Sequence, residues 1–278
     1  MQVVDRRQAI ARLRTQIEGI EKRSFPEVRQ AQSRPYIIRA PDEKFAPAPA
    51  GLLHEVWSDE VRNSGAAFGF ALGQARALLG RSRPAILFLQ LAHEAQQTGL
   101  PYGPGLCHFG LCPEALIIGR VRNVTELLWA AEEAAGCKAV AAIIVDIIHP
   151  GKILDFTASR RLAMRAGRGK ASVFLLRYGR EREAGASHLR WRVAPVSSME
   201  ALFDARAPGC PRWQVCLEKG QGMVSDMLGQ MRWVLNWTEN GFALEQAVGT
   251  DKAGKAGVGP ALSGPVPTAL GYGLSETA

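Results

Sequence analysis

The chain is predicted to be an α/β protein: a mostly parallel twisted sheet with helices on both faces, an amphipathic helix before it and a disordered tail after it. Three observations lead there. The runs Ala85 to Leu91 and Lys138 to Ile148 are almost continuously apolar, as strands covered on both faces require. Between such runs lie segments with helix start and stop signals, most clearly Asn123 with Glu126 three residues on and Gly136 at the end. The 278 residues are 47% apolar, enough to bury a sizeable core, and this excludes wholesale disorder.

In order along the chain, residues 5–23 carry Ile10, Leu13, Ile17 and Ile20 at helical spacing, one narrow apolar stripe suited to docking on a core or on a partner. Ser24 to Gly51 holds five prolines and reads as a linker, not a packed element. Leu52 to Trp57 is predicted as the first strand, and Gly65 to Leu79 as an Ala/Leu/Phe-rich helix closed by Gly80. Ala85 to Leu91 follows as a strand, then a loop rich in Gly and Pro through Gly105. Leu116 to Gly119 is a short strand, the capped helix runs to Ala135, and Lys138 to Ile148 is a buried strand. Thr157 to Ala166 is a basic helix ending at Gly167. Ser172 to Arg177 is a strand, and Ser187 to Val193 alternates as an outer strand. This alternation of strand and helix implies the parallel sheet. Trp-bearing strands at Arg212 to Glu218 and Arg232 to Trp237 flank a Gly-rich connection, Gly220 to Gly229. From Gly249 onward ten of thirty residues are Gly or Pro, so the end of the chain is expected to be disordered. Three regions result: 1–50, 51–245 and 246–278.

No uncharged apolar stretch approaches the ~20 residues that span a bilayer. Asp5, Arg6 and Arg7 are followed by no apolar segment, so no secretory signal is expected and the protein reads as cytoplasmic, with no membrane partner. Five cysteines without C-x-x-C spacing suit small buried thiols in a reducing compartment. Cys107, His108 and Cys112 cluster, but their spacing is not that of a zinc site, and no metal is expected.

The net charge of +8 is unevenly spread. Residues 1–40 hold nine basic and four acidic side chains, and residues 152–192 hold eleven and three. Two blocks this lopsided point to an anionic partner, with a nucleic-acid backbone the leading candidate and solvated basic faces the plain alternative. Arg160, Arg161, Arg165 and Arg168 project from the helix and its exit, with Lys170 next. Arg190-Trp191-Arg192 puts the two arginines on one face of a strand and Trp191 inward. These seven basic residues are the candidate contacts for nucleic acid or for an acidic protein surface.

A first strand leading into a small-residue helix invites a phosphate-binding loop, which needs G-x-x-x-x-G-K-[ST]. The segment here runs from Ser58 through Asp59, Glu60, Val61, Arg62 and Asn63 to Ser64 and Gly65. It has one late glycine, no Lys-Ser/Thr and two carboxylates that repel a triphosphate. Downstream, Ala142 to Asp146 keeps the apolar-run-then-Asp form that can present a carboxylate to Mg²⁺, here as a vestige. There is no G-x-S-x-G, no H-E-x-x-H, and Glu132-Glu133 reads as a solvated helix face. No catalytic residue and no cofactor are expected.

Several runs carry a family resemblance: Leu53-His54-Glu55-Val56, Tyr102 to Leu106, Leu128-Trp129-Ala130-Ala131-Glu132-Glu133 and Thr157 to Leu162. Further on, Leu175-Leu176-Arg177, Arg190 to Val193, Pro211-Arg212-Trp213 and Trp233 to Trp237 continue it. In this order, from about residue 51 to 240, they resemble ImuA, the RecA-like accessory protein of bacterial damage-inducible mutagenesis cassettes. The resemblance implies a RecA-like core and SOS-type induction. It also implies action beside an ImuB-type inactive Y-family polymerase homologue and an error-prone DNA polymerase III α-type subunit in translesion synthesis. A non-catalytic adaptor follows, with single-stranded DNA as a further contact and self-association through residues 5–23 in view. RecA-like ATPases bind ATP through the loop this chain lacks, so only Asp146 falls on a matching motif. Two alternatives stay open: a DNA-dependent ATPase with a divergent loop, and a division inhibitor similar to SulA, which Thr157 to Leu162 also resembles.

Overall fold

Apolar runs and capping signals place most elements of the computed structural model, which describes residues 45, 47–198, 200–201, 204–220 and 232–245. The stripe Ile10, Leu13, Ile17 and Ile20, nearly all of the Gly-rich connection and residues 246–278 lie outside these. The core opens with β1 (Leu53–Ser58) and helix α1 (Ser64–Arg76), then β2 (Ala85–Leu91). The Gly/Pro loop holds two short helices, α2 (Ala95–Thr98) and α3 (Gly103–His108). Next come β3 (Leu116–Val121), α4 (Val124–Ala135), β4 (Val140–Asp146), α5 (Phe156–Gly169) and β5 (Ser172–Tyr178). The chain continues through β6 (Leu189–Val196), a two-stranded ribbon of β7 (Glu200–Ala201) and β8 (Asp204–Pro208), then β9 (Arg212–Gly220), β10 (Arg232–Thr238) and β11 (Gly241–Leu244).

Nine strands form one sheet in the order β3-β2-β4-β5-β1-β6-β9-β10-β11. Every pairing from β3 to β6 is parallel, and β9, β10 and β11 extend the sheet antiparallel. The sheet is therefore mostly parallel on one side and antiparallel on the other. The expectation that β6 is an outer strand fails: it lies between β1 and β9, and its alternating pattern arises because one face packs while arginines line the other. Among the described residues no helix is long and apolar enough to cross a membrane.

Each face has its own core. Val56, Ile144, Phe174 and Trp191 pack toward α1, whereas Ile143, Val145, Val173 and Leu175 pack toward α4 and α5. The small residues of α1 have a reason: a Cβ on Gly73 would come within 2.5 Å of the Phe242 ring and 2.8 Å of Trp237. Only a bare backbone there admits the aromatic antiparallel strands. The Asn123 cap forms as expected, its Oδ1 accepting the Glu126 N–H at 2.9 Å.

The first helix stops at Arg76, short of the expected Leu79, β3 runs on to Val121, and β6 runs from Leu189 to Val196; two further differences bear on packing. The supposed linker is packed at its end, since Phe45 and Ala48 are buried. Phe45 makes edge contacts with Phe70, Trp191, Trp233 and Phe242. Helix α5 runs past Gly167 to a left-handed Lys170 at φ 60°. Gly169 lies so close to α4 that a Cβ would meet the Ala135 carbonyl oxygen at 1.7 Å. The Arg83 guanidinium donates to the Gly169 and Val140 carbonyls, both at 2.7 Å. It thereby satisfies a carbonyl that the helix end leaves open.

Candidate functional site

The carboxyl ends of β1, β2, β4 and β5 form one rim, where open α/β sheets bind ligands. A cavity of about 250 Å³ opens there between the first turns of α1 and the segment Thr98 to Phe109. Its walls are Phe68, Leu72, Phe88, Leu106 and Phe109, and Asp146 is its charged residue.

Asp146 ends β4 beside Gln90 of β2 and Leu176 of β5 and is almost wholly buried. Its Oδ1 accepts the Tyr178 hydroxyl at 2.7 Å. Burial pushes the Asp146 carboxyl above its ordinary range, and the neighbouring Glu94 adds to this against the hydrogen bonds from Tyr178, Thr98 and Gln90. Burial likewise pushes the Tyr178 phenol up, with Asp146 beside it. Glu94, 1% exposed, is turned to the backbone: its carboxylate accepts the N–H groups of Ile148 and His149 at 2.9 and 2.8 Å. Sequence reasoning missed Gln90, Glu94, Thr98 and Tyr178. The available signal was Gln90, one polar residue inside the apolar run of β2.

The connection from β1 to α1 is tied down as well. Asp59 accepts from Arg182 Nη2 at 3.0 Å and from Arg192 Nε at 3.1 Å. Partial burial works against its charge, but these two guanidiniums hold the carboxyl below the usual carboxylate range. Glu60 pairs with Arg62. The residues of this rim do not fit a triphosphate with Mg²⁺: Asp59 is engaged by two arginines, Glu94 is spent on backbone, and the cavity is lined mostly by apolar side chains, with Asp146 as its charged residue.

The seven basic candidates fall into two groups. Trp191 is buried, as the strand pattern implied, but Arg190 and Arg192 are not a free basic face. Arg190 Nε donates to the buried Glu55 at 2.5 Å, and Arg192 pairs with Asp59. They belong to a network packed on Trp57, with Arg177 and Arg182 each 4.7 Å above its ring. On α5, Arg160, Arg161, Arg165 and Arg168 are exposed, as is Lys170 beyond it. Arg161 lies 3.0 Å from Glu132 and Arg165 3.7 Å from Glu133. The Glu132-Glu133 pair is thus engaged with α5 and is not merely a solvated face.

The cysteines also depart from expectation: Cys107, Cys112, Cys137 and Cys210 are exposed free thiols and Cys216 is half-buried. Among the described residues no three His, Cys, Asp or Glu side chains are grouped to hold a metal. Compared with models of protein families and with curated proteins, the sequence matches none.

Proposed function

We propose that the chain is a RecA-like, non-catalytic adaptor of SOS-induced error-prone translesion synthesis, similar to ImuA. It binds an ImuB-type inactive Y-family polymerase homologue and, through it, an error-prone DNA polymerase III α-type subunit, with single-stranded DNA as a second contact. The observation that carries the non-catalytic part is the rim. Asp59, Glu94 and Asp146, the carboxylates at the ends of β1, β2 and β4, are held by Arg182 and Arg192, by two backbone N–H groups and by Tyr178. The cavity beside Asp146 is lined mostly by apolar side chains, which suits an aromatic or aliphatic anchor better than a phosphate chain. The ordered sequence resemblance supplies the partners.

The test is capture of the ImuB homologue by tagged full-length chain and by a chain lacking residues 1–40, beside ATP turnover with and without single-stranded DNA. Capture by the full chain, its loss on deletion and no turnover are expected. No capture by the full chain refutes the adaptor. Undiminished capture after deletion removes Ile10, Leu13, Ile17 and Ile20 from the interface. ATP turnover abolished by Asp146→Asn makes the protein an ATPase.

A further inference from the structure

We infer that the outer face of α4 and α5 is a platform for single-stranded nucleic acid, on which Trp129 stacks a base and Arg161 and Arg165 hold the flanking phosphates. This rests on the DNA contact in the reading above, and capture of the polymerase homologue does not depend on it. Trp57, Trp191, Trp213 and Trp237 are buried, whereas Trp129 is 66% exposed in the middle of a helix. α4 buries Val124, Leu127, Leu128, Ala131 and Ala135, and Trp129 is left outside that set. Residues three and four apart on a helix share a side, so Trp129 is one turn from both Glu132 and Glu133. Those carboxylates lie 3.0 and 3.7 Å from Arg161 and Arg165. The indole therefore lies one helical turn from the two carboxylates that pair with Arg161 and Arg165 of the neighbouring helix.

A guanidinium has five N–H donors, so a carboxylate contact leaves others for a phosphate. The charge favours a polyanion: α5 and its exit carry Arg160, Arg161, Arg165, Arg168 and Lys170 against Glu126, Glu132 and Glu133 of α4. A second exposed aromatic, Phe156, 52% exposed, precedes Arg160 by four residues on α5. An aromatic surface bordered by cations is the arrangement that binds single strands with little sequence preference, because every base offers a π-face. Arg190, sealed against the buried Glu55, has no part in it.

Fluorescence anisotropy of a labelled oligothymidylate of about 20 nucleotides, titrated with the full chain over a range of salt, tests the platform. Trp129→Ala is expected to weaken binding about 5- to 100-fold with the salt dependence unchanged, and Trp129→Phe to restore most of it. Arg161→Gln with Arg165→Gln is expected to flatten the slope of log affinity against log salt by about 1.4, two single-strand phosphate contacts. No binding by the wild-type chain at low salt overturns the inference, as does wild-type affinity in Trp129→Ala. Capture of the ImuB homologue by Trp129→Ala is measured in parallel. Retained capture with weakened DNA binding supports the platform. Lost capture with intact DNA binding makes this face a protein interface and overturns it. Failure of the wild-type chain to capture its partner refutes the adaptor without touching the DNA result.

Discussion

Arg190→Ala separates a structural arginine from a nucleic-acid contact. The Arg190 side chain is 13% exposed and that of its partner Glu55 4%, so the substitution leaves a carboxylate in the interior without its cation. Trp57 Nε1, at 3.3 Å from the same oxygen, remains as a weaker donor. Removing one member of a buried pair costs about 3–5 kcal/mol. Arg161 provides the contrast, since its side chain is 56% exposed and an exposed pair contributes about 0–1 kcal/mol. With a urea m-value of about 2 kcal/mol/M, Arg190→Ala should lower the unfolding midpoint by about 1.5–2.5 M and Arg161→Ala by under about 0.5 M. The assay is urea denaturation at pH 7, followed by tryptophan fluorescence. A companion, Glu55→Leu with Arg190→Leu, removes both charges and should recover most of the loss. Equal midpoint shifts for Arg190→Ala and Arg161→Ala would refute the reasoning and return Arg190 to the surface.

Two further outcomes follow from the core. Burial, with His188 adding, pushes His54 down to about 3. The unfolded chain therefore takes up a proton near pH 6.5 that the folded chain refuses. This contribution is complete above about pH 6.5 and is lost as pH falls toward 3, at about 1.4 kcal/mol per pH unit. Urea midpoints measured between pH 7 and 5 should fall with acid, less steeply in His54→Gln, and an unchanged slope in that variant counts against His54 as the cause. Phe45→Ala should cost about 3–5 kcal/mol, as should a chain begun at residue 51. Calorimetric melting that places both within error of the full chain would show that the residues before β1 are not part of the core.

Much of the fold was legible because it rests on local pattern. Apolar runs located β2 and β4, and Asn123 with Glu126 located α4, since a buried strand and a capped helix are each specified within a dozen residues. The inward turn of Trp191 followed from alternation alone. What the pattern could not carry is pairing across the chain. Arg190 and Glu55 are 135 positions apart, and nothing in Arg190-Trp191-Arg192 distinguishes an arginine that faces water from one sealed, as Arg190 is, against an acid of β1. The same limit hid the place of β6: alternation states that one face is polar, not that the polar face is neutralised or that three strands continue beyond. Phe45 was hidden by its company, because a proline-rich stretch reads as a linker until Phe45 meets four other aromatic side chains. The cysteines misled in the other direction, since small-thiol packing is a tendency of residue type and four of the five lie on the surface.

The rim joins these observations. Asp146 was foreseen as a carboxylate at a strand end, and that is where it stands, yet its surroundings decide what it can do. A metal-binding carboxylate needs its oxygens charged and turned toward the ligand. Asp146 instead gives an oxygen to Tyr178 while burial and Glu94 work against its charge. Glu94 caps the turn after β4, and Asp59 holds the loop after β5 through Arg182 and Arg192. Glu94 and Asp59 thus each fix a connection of the protein's own chain, so freeing either for a phosphate-bound metal would loosen the segment it secures. Under the proposed non-catalytic reading, rigid connections around a mostly apolar cavity suit a preformed surface better than the turnover of a triphosphate. On that proposal a partner would meet an anchor site already formed, and less ordering entropy would be lost on binding.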